Sequence, residues 1–333
     1  MNKKYTAVVL GCGKVGATFE IDSGLVKPAS HAAALVANPR TELVALVDAD
    51  PVALKRAGDY YKVETYTDAR DCLEKYKPDI VVIATPPTTH EEMFSLALEL
   101  KISAIVCEKP VSDSLESAER MITLAKESES VVIVNHQRRF FPLFREVREK
   151  IARGELGRVQ QISAYYSNGL FNNGTHTIDA IQFLLDDTAV WALGVENKLN
   201  KTAPFGANID GMLGFKKGTV VTLQSLDNSE YGAHDFVIYG TKGAITIRQY
   251  GFRFESLEVK DGVTFAGVKE LDWGSASITT DRRSQLEGTI AHLVECLDGK
   301  ATSQSTLKDG HHTMQALNAL VQSATEGGRR III

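Results

Sequence analysis

The most constraining feature of the sequence is Tyr5–Gly16, in which a short apolar run leads into spaced glycines. Thr6–Leu10 is mostly aliphatic and β-branched, which predicts a buried strand. Gly11, Gly13 and Gly16 then follow at the G-x-G-x-x-G spacing. Between a strand and a helix, such glycines allow a tight turn, a close approach to a pyrophosphate and close helix packing. The pattern predicts a dinucleotide-binding turn, and the alternative is an ordinary glycine-rich turn.

The residues of this turn are the first predicted cofactor contacts. A helix N-terminus after the turn would offer free N–H groups and the positive end of the helix dipole to the phosphates. The predicted contacts in the turn are Gly11, Cys12, Gly13, Lys14, Val15 and Gly16.

An acidic residue ends the second predicted strand, Thr41–Val47. In a dinucleotide fold, a carboxylate at the position of Asp48 accepts hydrogen bonds from the adenosine ribose and disfavours the 2′-phosphate of NADP. Asp48 therefore favours NAD, although a cap of the following helix is an alternative role. Asp48 stands 32 positions after Gly16, whereas ~20 is usual. The excess predicts an insertion at Ala17–Ser30 beside the cofactor cleft, with a loop at Asp22–Gly24.

The order of segments predicts two domains. Strand-like and helix-like segments alternate over about the first 135 residues, which is the pattern of a doubly wound parallel sheet. Beyond that point, strand-like runs with hairpin turns between them predict an antiparallel sheet. We predict an α/β Rossmann domain at 1–135 and an α+β domain at 136–333. The 333 residues agree, because single cores stop growing near ~250–300 residues.

Composition excludes several classes of protein. A net charge of −5 without a long basic run argues against nucleic acid as the main partner. No apolar run approaches the ~18–20 residues of a membrane span, and the N-terminus does not resemble a signal peptide. We therefore expect a cytoplasmic protein without a membrane partner. The four cysteines are scattered, with no C-x-x-C, so neither a disulfide framework nor a metal site is predicted.

A crossover follows the predicted strand Ile80–Ala84. In open parallel sheets, ligands bind at the carboxyl ends of the strands. We therefore predict cofactor contacts from the crossover, at Thr85, Pro86, Pro87 and His90.

Lys109 follows the next predicted strand, Ala104–Cys107, and lies between Glu108 and Pro110. At this edge we expect Glu108 and Lys109 to contact the cofactor, and the ammonium group of Lys109 to be partly desolvated beside a nicotinamide ring. It could then hydrogen-bond a substrate oxygen and stabilise developing negative charge. A cis peptide bond before Pro110 would fix the direction of the lysine. The alternative is a surface Lys-Pro turn.

A second candidate site lies in Asn172–Asp179, at the start of a predicted helix. His176 can take or return the proton that accompanies hydride transfer, because the pKa of histidine is near working pH. Asp179 follows three residues later, shares roughly one helical face with His176 and could orient it. The alternative is that Asn172 or Thr175 caps the helix and that His176 is an ordinary first-turn residue.

The combination of motifs resembles the glucose–fructose oxidoreductase, inositol dehydrogenase and rhizopine catabolism (Gfo/Idh/MocA) family, over essentially the whole chain. The motifs that carry the resemblance are the glycine turn, Asp48, Thr85-Pro86-Pro87, Glu108-Lys109-Pro110, the Arg153–Gly157 turn, Gly174-x-His176-x-x-Asp179 and the Gly240–Gly243 hairpin. The resemblance implies a Rossmann domain and an open-faced, mainly antiparallel sheet domain that binds substrate and forms oligomers. It also implies NAD- or NADP-dependent oxidation or reduction of a sugar, cyclitol or related hydroxyl, with Lys109 and His176 as the catalytic pair.

The chain departs from the family pattern at Asn172. The family usually reads Asp-x-Gly-x-His, and Asn172 occupies the aspartate position. An amide cannot accept a proton or raise the basicity of a histidine as a carboxylate does. One hypothesis is that Asn172 only binds substrate and that Lys109 and His176 suffice. The other is that the enzyme favours reduction of a keto-sugar, which needs no strong base.

We expect the substrate to be a polyhydroxylated small molecule. Tyrosine and asparagine offer donors and acceptors to sugar hydroxyls, and an arginine would suit a carboxylate or phosphate, as in a nucleotide-sugar. The candidates for this role, Arg138 and Arg139, could instead form salt bridges with Glu146 and Glu149. The predicted substrate contacts are Lys109, Arg139, Tyr166, Asn168, Phe171, Asn172, Thr175 and His176.

The sequence thus predicts an NAD(P)-dependent oxidoreductase that prefers NAD. We expect a homodimer or homotetramer formed through the sheet of the second domain, as the resemblance implies. Two other functions stay open, an NAD-dependent enzyme that cleaves glycosides and a non-catalytic sensor that binds a dinucleotide.

Overall fold

The computed structural model describes residues 3–21, 26–200 and 206–333, and the loop predicted at Asp22–Gly24 lies outside them. Contacts divide the chain into two units. The first comprises residues 1–140 and 283–311, and the second comprises residues 141–282 and 312–333. The sequence-based domain bounds differ from this division, because residues 136–140 and 283–311 group with the first unit.

The first unit contains a parallel sheet of six strands. The strands are β1 (Tyr5–Leu10), β2 (Thr41–Val47), β3 (Glu64–Tyr66), β4 (Ile80–Ile83), β5 (Ala104–Cys107) and β6 (Val131–Val134). The helices between them are α1 (His31–Ala37), α2 (Pro51–Tyr61), α3 (Ala69–Tyr76), α4 (His90–Glu99) and α5 (Leu115–Lys126). The sheet order is β3-β2-β1-β4-β5-β6, and neighbouring strands are parallel. This order confirms the predicted Rossmann domain.

Residues 17–30 interrupt the helix that would otherwise follow the glycine turn. The N–H of His31 donates to the carbonyl of Val15 at 2.9 Å, and that of Ala32 donates to Gly16 at 3.0 Å. α1 therefore continues the backbone hydrogen bonding of the glycine turn, although residues 17–30 separate the two in the sequence. The sequence predicted an insertion at this position, and among the residues that the structure describes the first α-helix after the glycines begins at His31.

The ends of this insertion are tied to one side chain. The hydroxyl of Tyr61 donates to the carbonyl of Ala17 at 3.0 Å and lies 2.9 Å from Oγ of Ser30. Within the insertion, Oε2 of Glu20 accepts the N–H of Ala29 at 2.7 Å. These contacts hold the entry and the exit of the insertion close together.

The second unit is built on a nine-stranded sheet. Its helices are α6 (Pro142–Ala152) and α7 (Thr175–Leu185). Its strands are β7 (Val159–Ser167), β8 (Ala189–Glu196), β9 (Ile209–Phe215), β10 (Val220–Leu226), β11 (His234–Gly240), β12 (Gly243–Arg248), β13 (Arg253–Asp261), β14 (Lys269–Thr280) and β15 (Ile331–Ile332). The order is β14-β13-β12-β11-β7-β10-β9-β8-β15. The pair β7–β10 is parallel and the other neighbouring pairs are antiparallel, so the predicted mainly antiparallel sheet is confirmed.

The C-terminal part of the chain contains α8 (Gln285–Leu297) and α9 (Leu307–Thr325). α8 packs Leu286, Ile290 and Leu293 into the core of the first unit, which explains why residues 283–311 belong to that unit. Across the described ranges, no helix has both the length and the apolar character that crossing a bilayer requires.

Candidate functional site

The three glycines of the first turn have different surroundings. Gly11 has φ +99°, and a Cβ there would lie 2.4 Å from the carbonyl oxygen of Ala84. A Cβ on Gly16 would lie 1.9 Å from the carbonyl oxygen of Gly11. By contrast, a Cβ on Gly13 would meet no heavy atom within 4 Å. The fold therefore requires glycine at Gly11 and at Gly16. At Gly13 the absence of a side chain leaves space for a ligand, which a bound pyrophosphate requires.

Asp48 is fixed by backbone contacts at the end of β2. Its Oδ2 accepts the N–H of Cys12 at 2.5 Å, and its Oδ1 accepts the N–H of Asp50 at 2.8 Å. The cap of α2 is Asp50, whose side chain accepts the N–H of Val52, so the capping role considered for Asp48 belongs to Asp50. Each carboxylate oxygen keeps a second lone pair, and the half-buried Asp48 can still accept a ribose hydroxyl.

Lys109 follows β5, which lies between β4 and β6 in the sheet. The Lys109–Pro110 peptide is cis. Burial lowers the pKa of Lys109; the charge of Glu108 opposes this shift, and that of Arg138 adds to it. A lysine with a lowered pKa gives up its proton more readily than an exposed one. This position therefore suits polarisation of a substrate oxygen as well as proton exchange.

Glu108 is buried and bonded within the first unit. Its Oε1 lies 2.7 Å from Nε2 of His31 and accepts Nδ2 of Asn135 at 2.6 Å, while its Oε2 accepts the N–H of Lys109 at 3.1 Å. Burial alone would raise the pKa of Glu108, but contact with His31 and the nearby charge of Lys109 hold it below the usual range. Thr289 of α8 extends the network by donating to Oδ1 of Asn135 at 3.0 Å. The carboxylate thus orients the backbone at Lys109, and the cofactor contact expected of Glu108 stays a prediction.

His31 and Asn135 were missed as functional residues at the sequence level. Each carries a local signal. His31 is a polar residue that opens an otherwise apolar helix, and Asn135 directly follows the buried strand β6. Neither signal names Glu108 as the partner, because that contact depends on the order of strands in the sheet.

His90 does not occupy the cofactor-contact position that the sequence predicted. It is completely buried, with Nε2 2.9 Å from the carbonyl oxygen of Thr85 and Nδ1 3.1 Å from those of Pro110 and Val111. Its ring is therefore surrounded by protein. Pro86 is exposed, and Thr85 and Pro87 are partly exposed. All three therefore stay candidate cofactor contacts.

Arg139 is likewise buried and bonded to other residues of the protein. It is 5% exposed, donates to the carbonyl of Gln304 at 3.0 Å and lies 3.3 Å from the carboxylate of Asp309. The alternative partners, Glu146 and Glu149, instead lie near Lys150 and Arg153. Burial and these contacts argue against the predicted contact between Arg139 and a substrate.

In the second unit, a π-helical turn at Leu170–Gly174 leads directly into α7. Such turns are frequent at functional sites. The N-cap position of α7 is Gly174, so neither Asn172 nor Thr175 occupies it. His176 is partly exposed in the first turn of α7, while Asp179 is 1% exposed. Asn168, at φ +69°, precedes the π-helical turn, and the more exposed Phe171 lies within it.

Two predicted substrate contacts of the second unit are buried. The hydroxyl of Tyr166 donates to the carbonyl of Ile209 at 2.7 Å and accepts the N–H of the same residue at 3.0 Å. Burial raises the pKa of Tyr166 far above its usual range, and its side chain is completely enclosed. Thr175 is also buried. The structure therefore gives Tyr166 a role in holding β9, and the positions open to a ligand are Asn168, Phe171, Asn172 and His176.

Residues 3–21, 26–200 and 206–333 contain no group of three or more histidine, cysteine, aspartate or glutamate side chains that could hold a metal ion.

Comparison with known proteins places both halves of the chain in one family. Residues 6–136 match the model of an oxidoreductase family with an NAD-binding Rossmann fold, and residues 167–331 match the C-terminal alpha/beta domain of the same family. An inositol 2-dehydrogenase of Rhizobium meliloti (strain 1021) is 24% identical over 96% of each chain. A D-apiose dehydrogenase of Paraburkholderia graminis is 24% identical over 86% of this chain and 82% of that protein.

A solved structure shows the same fold. The oxidoreductase from Agrobacterium radiobacter, crystallised with NAD⁺, L-tartaric acid and magnesium, superposes with a TM-score of 0.77 at 20% identity, covering 99% of this chain and 98% of that one. The resemblance seen in the motifs is thereby confirmed: the chain belongs to the Gfo/Idh/MocA family of oxidoreductases.

Proposed function

We propose that this protein is an NAD-dependent dehydrogenase or ketoreductase that acts on a CH–OH group of a sugar, cyclitol or nucleotide-sugar derivative. The names of the relatives, inositol 2-dehydrogenase and D-apiose dehydrogenase, support this substrate class. The observation that carries the proposal is the placement of Lys109. It follows a buried parallel strand at the ligand-binding edge, its backbone is held by a buried carboxylate, and its pKa is lowered.

The residues that would hold the cofactor are the glycine turn and Asp48. The open space at Gly13 supports binding of the pyrophosphate, and the fixed carboxylate of Asp48 supports NAD over NADP. When bound, the nicotinamide supplies the carbon that accepts or returns the hydride. The chain itself contributes binding, orientation and proton transfer.

Lys109 and His176 form the proposed catalytic pair. The ammonium group of Lys109 donates a hydrogen bond to the substrate oxygen and stabilises negative charge that develops there. His176 is partly exposed and takes or returns the proton. Asn172 lies four residues before it and binds a hydroxyl as donor or acceptor without exchanging a proton. Asn168 and Phe171 complete the proposed substrate contacts.

We also propose that the protein forms a homodimer or homotetramer through its nine-stranded sheet. Met212 on β9 and Tyr239 on β11 are apolar or aromatic side chains exposed on this sheet, and their exposure supports the proposal. The cytoplasmic location stays a prediction.

The test uses the purified full-length protein with NAD⁺ and polyols, and with NADH and keto-sugars. Lys109→Met keeps the length of the side chain and removes its charge. We expect kcat to fall ~100–1,000-fold, while the Kd for NADH stays within about threefold of wild type. Release of free sugar without net NADH would instead identify a glycoside-cleaving enzyme. Tight NADH binding without turnover of any substrate would contradict the proposal and favour a sensor.

A further inference from the structure

His90 connects two segments that both lie at the carboxyl edge of the parallel sheet. On one side, its Nε2 lies 2.9 Å from the carbonyl oxygen of Thr85, in the crossover after β4. On the other side, its Nδ1 lies 3.1 Å from the carbonyl oxygens of Pro110 and Val111, directly after Lys109. The side chain is completely buried. A single imidazole ring therefore spans the distance between the cofactor-binding crossover and the turn that carries Lys109.

These contacts indicate the charge of the ring. A carbonyl oxygen can only accept, and a neutral imidazole has only one N–H. With carbonyl oxygens at both nitrogens, both contacts are hydrogen bonds only when the ring is an imidazolium. With the proton on Nδ1 of a neutral ring, the lone pair of Nε2 would face the carbonyl oxygen of Thr85 in a buried site, which is unfavourable. With the proton on Nε2, the lone pair of Nδ1 would face the carbonyl oxygens of Pro110 and Val111, and the thiol of Cys107 at 3.5 Å would be a weak donor to it.

The surroundings of His90 agree with the charged form. The titratable group that faces the ring is the thiol of Cys107 on β5, with Sγ 3.5 Å from Nδ1. Burial lowers the pKa of His90, but Cys107 and the backbone carbonyls outweigh burial and raise the pKa to about 9.

We propose that His90 is a positioning residue which, as an imidazolium, ties the Thr85 crossover to the Lys109–Val111 turn and so fixes the direction of Lys109. The backbone at Lys109 is then held from both sides. Its N–H donates to Glu108 at 3.1 Å, and the two carbonyls that follow accept from His90. The inference rests on the proposed role of Lys109, but it concerns the protonation state and the contacts of His90, which are measurable without substrate.

Two substitutions separate the two sides of the contact. In His90→Asn the amide nitrogen lies near the position of Nδ1, so the contact with the Lys109 turn is kept and that with Thr85 is lost. In His90→Gln the amide nitrogen lies near the position of Nε2, so the opposite contact is kept. We expect both variants to lower kcat, because a misplacement of about 1 Å costs ~100-fold. The Kd for NADH should stay within about threefold of wild type in His90→Gln, which keeps the contact with Thr85. In His90→Asn the crossover with its candidate cofactor contacts is released, so there we expect this Kd to rise as well.

Nitrogen-15 NMR of the histidine-labelled full-length protein tests the charge directly. Both ring nitrogens of His90, assigned from the signals that disappear in His90→Asn, should stay protonated from pH 6 to pH 8. His234 is the internal control, because it is equally buried and its Nε2 faces the hydroxyl of Thr177 instead of a carbonyl. An unprotonated His90 nitrogen at pH 7 would overturn the inference, and so would a folded variant with the kcat of wild type.

The outcomes also distinguish this inference from the proposed function. If wild type turns over no substrate, the proposed function fails, and the NMR signals still decide the charge of His90. If both variants fail to fold, the signals of His90 are assigned in wild type by triple-resonance experiments, and the NMR result then decides as well. If Lys109→Met is inactive and both His90 variants are fully active, Lys109 keeps its role and His90 loses its own.

Discussion

The glycine turn allows a prediction in which a methyl group is added at three positions of one loop. Gly13→Ala places its Cβ where no heavy atom lies within 4 Å, so the protein without ligand should tolerate it. Replacing glycine by alanine at an unstrained position also restricts the unfolded chain, which stabilises a protein by ~0.4–1 kcal/mol. We therefore expect the free energy of unfolding to stay the same or to rise slightly.

The same methyl group should abolish cofactor binding. The second glycine of this motif is the one at which backbone approaches the pyrophosphate, and a Cβ would occupy that space. The loss of hydrogen bonds to a charged group costs about 1.5–3 kcal/mol, and 1.4 kcal/mol corresponds to a factor of ten. We expect the Kd for NADH to rise by ~10–150-fold.

The neighbouring glycines are the matched controls. Gly11→Ala combines φ +99° with a contact of 2.4 Å to the carbonyl oxygen of Ala84, and Gly16→Ala brings Cβ to 1.9 Å from the carbonyl oxygen of Gly11. Both contacts are with backbone, which cannot rotate away, so each substitution should cost at least ~1–3 kcal/mol of stability. These two variants should therefore lose stability as well as binding.

Thermal unfolding without ligand and titration of NADH fluorescence measure the two effects separately. The reasoning predicts an unchanged Tm with lost binding for Gly13→Ala, and a lowered Tm for the other two variants. Wild-type affinity in Gly13→Ala would refute the assignment of this loop to the cofactor. A fall in Tm as large as in Gly11→Ala would refute the claim that the space at Gly13 is reserved for a ligand.

Three further predictions concern single side chains. Asp48→Ala should remove the preference for NADH over NADPH in a fluorescence titration, and tighter NADPH binding by wild type would contradict the ribose role. Tyr166→Phe should lower the free energy of unfolding by ~1–3 kcal/mol and leave KM unchanged, because the buried N–H and carbonyl of Ile209 lose their shared partner. A raised KM at unchanged stability would show that Tyr166 contacts the substrate instead. Asn172→Asp should keep kcat/KM within about tenfold if Asn172 only binds substrate, and a hundredfold loss in steady-state assays would count against that role.

The Rossmann sheet was predictable because its central strands are buried on both faces. Such strands appear in the sequence as uninterrupted aliphatic runs, and β2 and β5 have the predicted bounds. The ends of these strands then located Lys109 without any knowledge of the packing. The predicted dinucleotide-binding domain and its candidate lysine thus follow from the burial of these strands alone.

β13 and β14 carry no comparable signal in the sequence, for the opposite reason. Most of their side chains are exposed or half-buried, and Trp273 is 72% exposed. Alternation between apolar and polar residues arises only when one face of a strand is buried. Without it, the remaining signal was the turn at Asp261–Gly262, which marks a hairpin and gives no strand bounds.

The sequence does not show which side chain of a strand is buried where two neighbouring residues are alike. Tyr165 and Tyr166 are adjacent on β7 and point to opposite faces. A shift of one residue in register exchanges their roles, and the sequence offers no preference between two tyrosines. The structure buries Tyr166 and leaves Tyr165 half-buried, so the substrate contact predicted for Tyr166 depended on an unknown register.

The insertion after the glycine turn explains the long spacing between Gly16 and Asp48 in physical terms. The distance between Gly16 and Asp48 revealed extra residues, but the contact made by the residue that directly follows them, from His31 to Glu108, spans 77 positions and depends on the strand order. Because α1 continues the hydrogen bonding of Val15 and Gly16, the exit residue of the insertion is fixed on the helix. Moving His31 by one position would rotate it by about 100° around α1, away from the carboxylate that holds the backbone at Lys109. The length of the insertion is therefore free to vary only as long as its exit keeps His31 at this helical position.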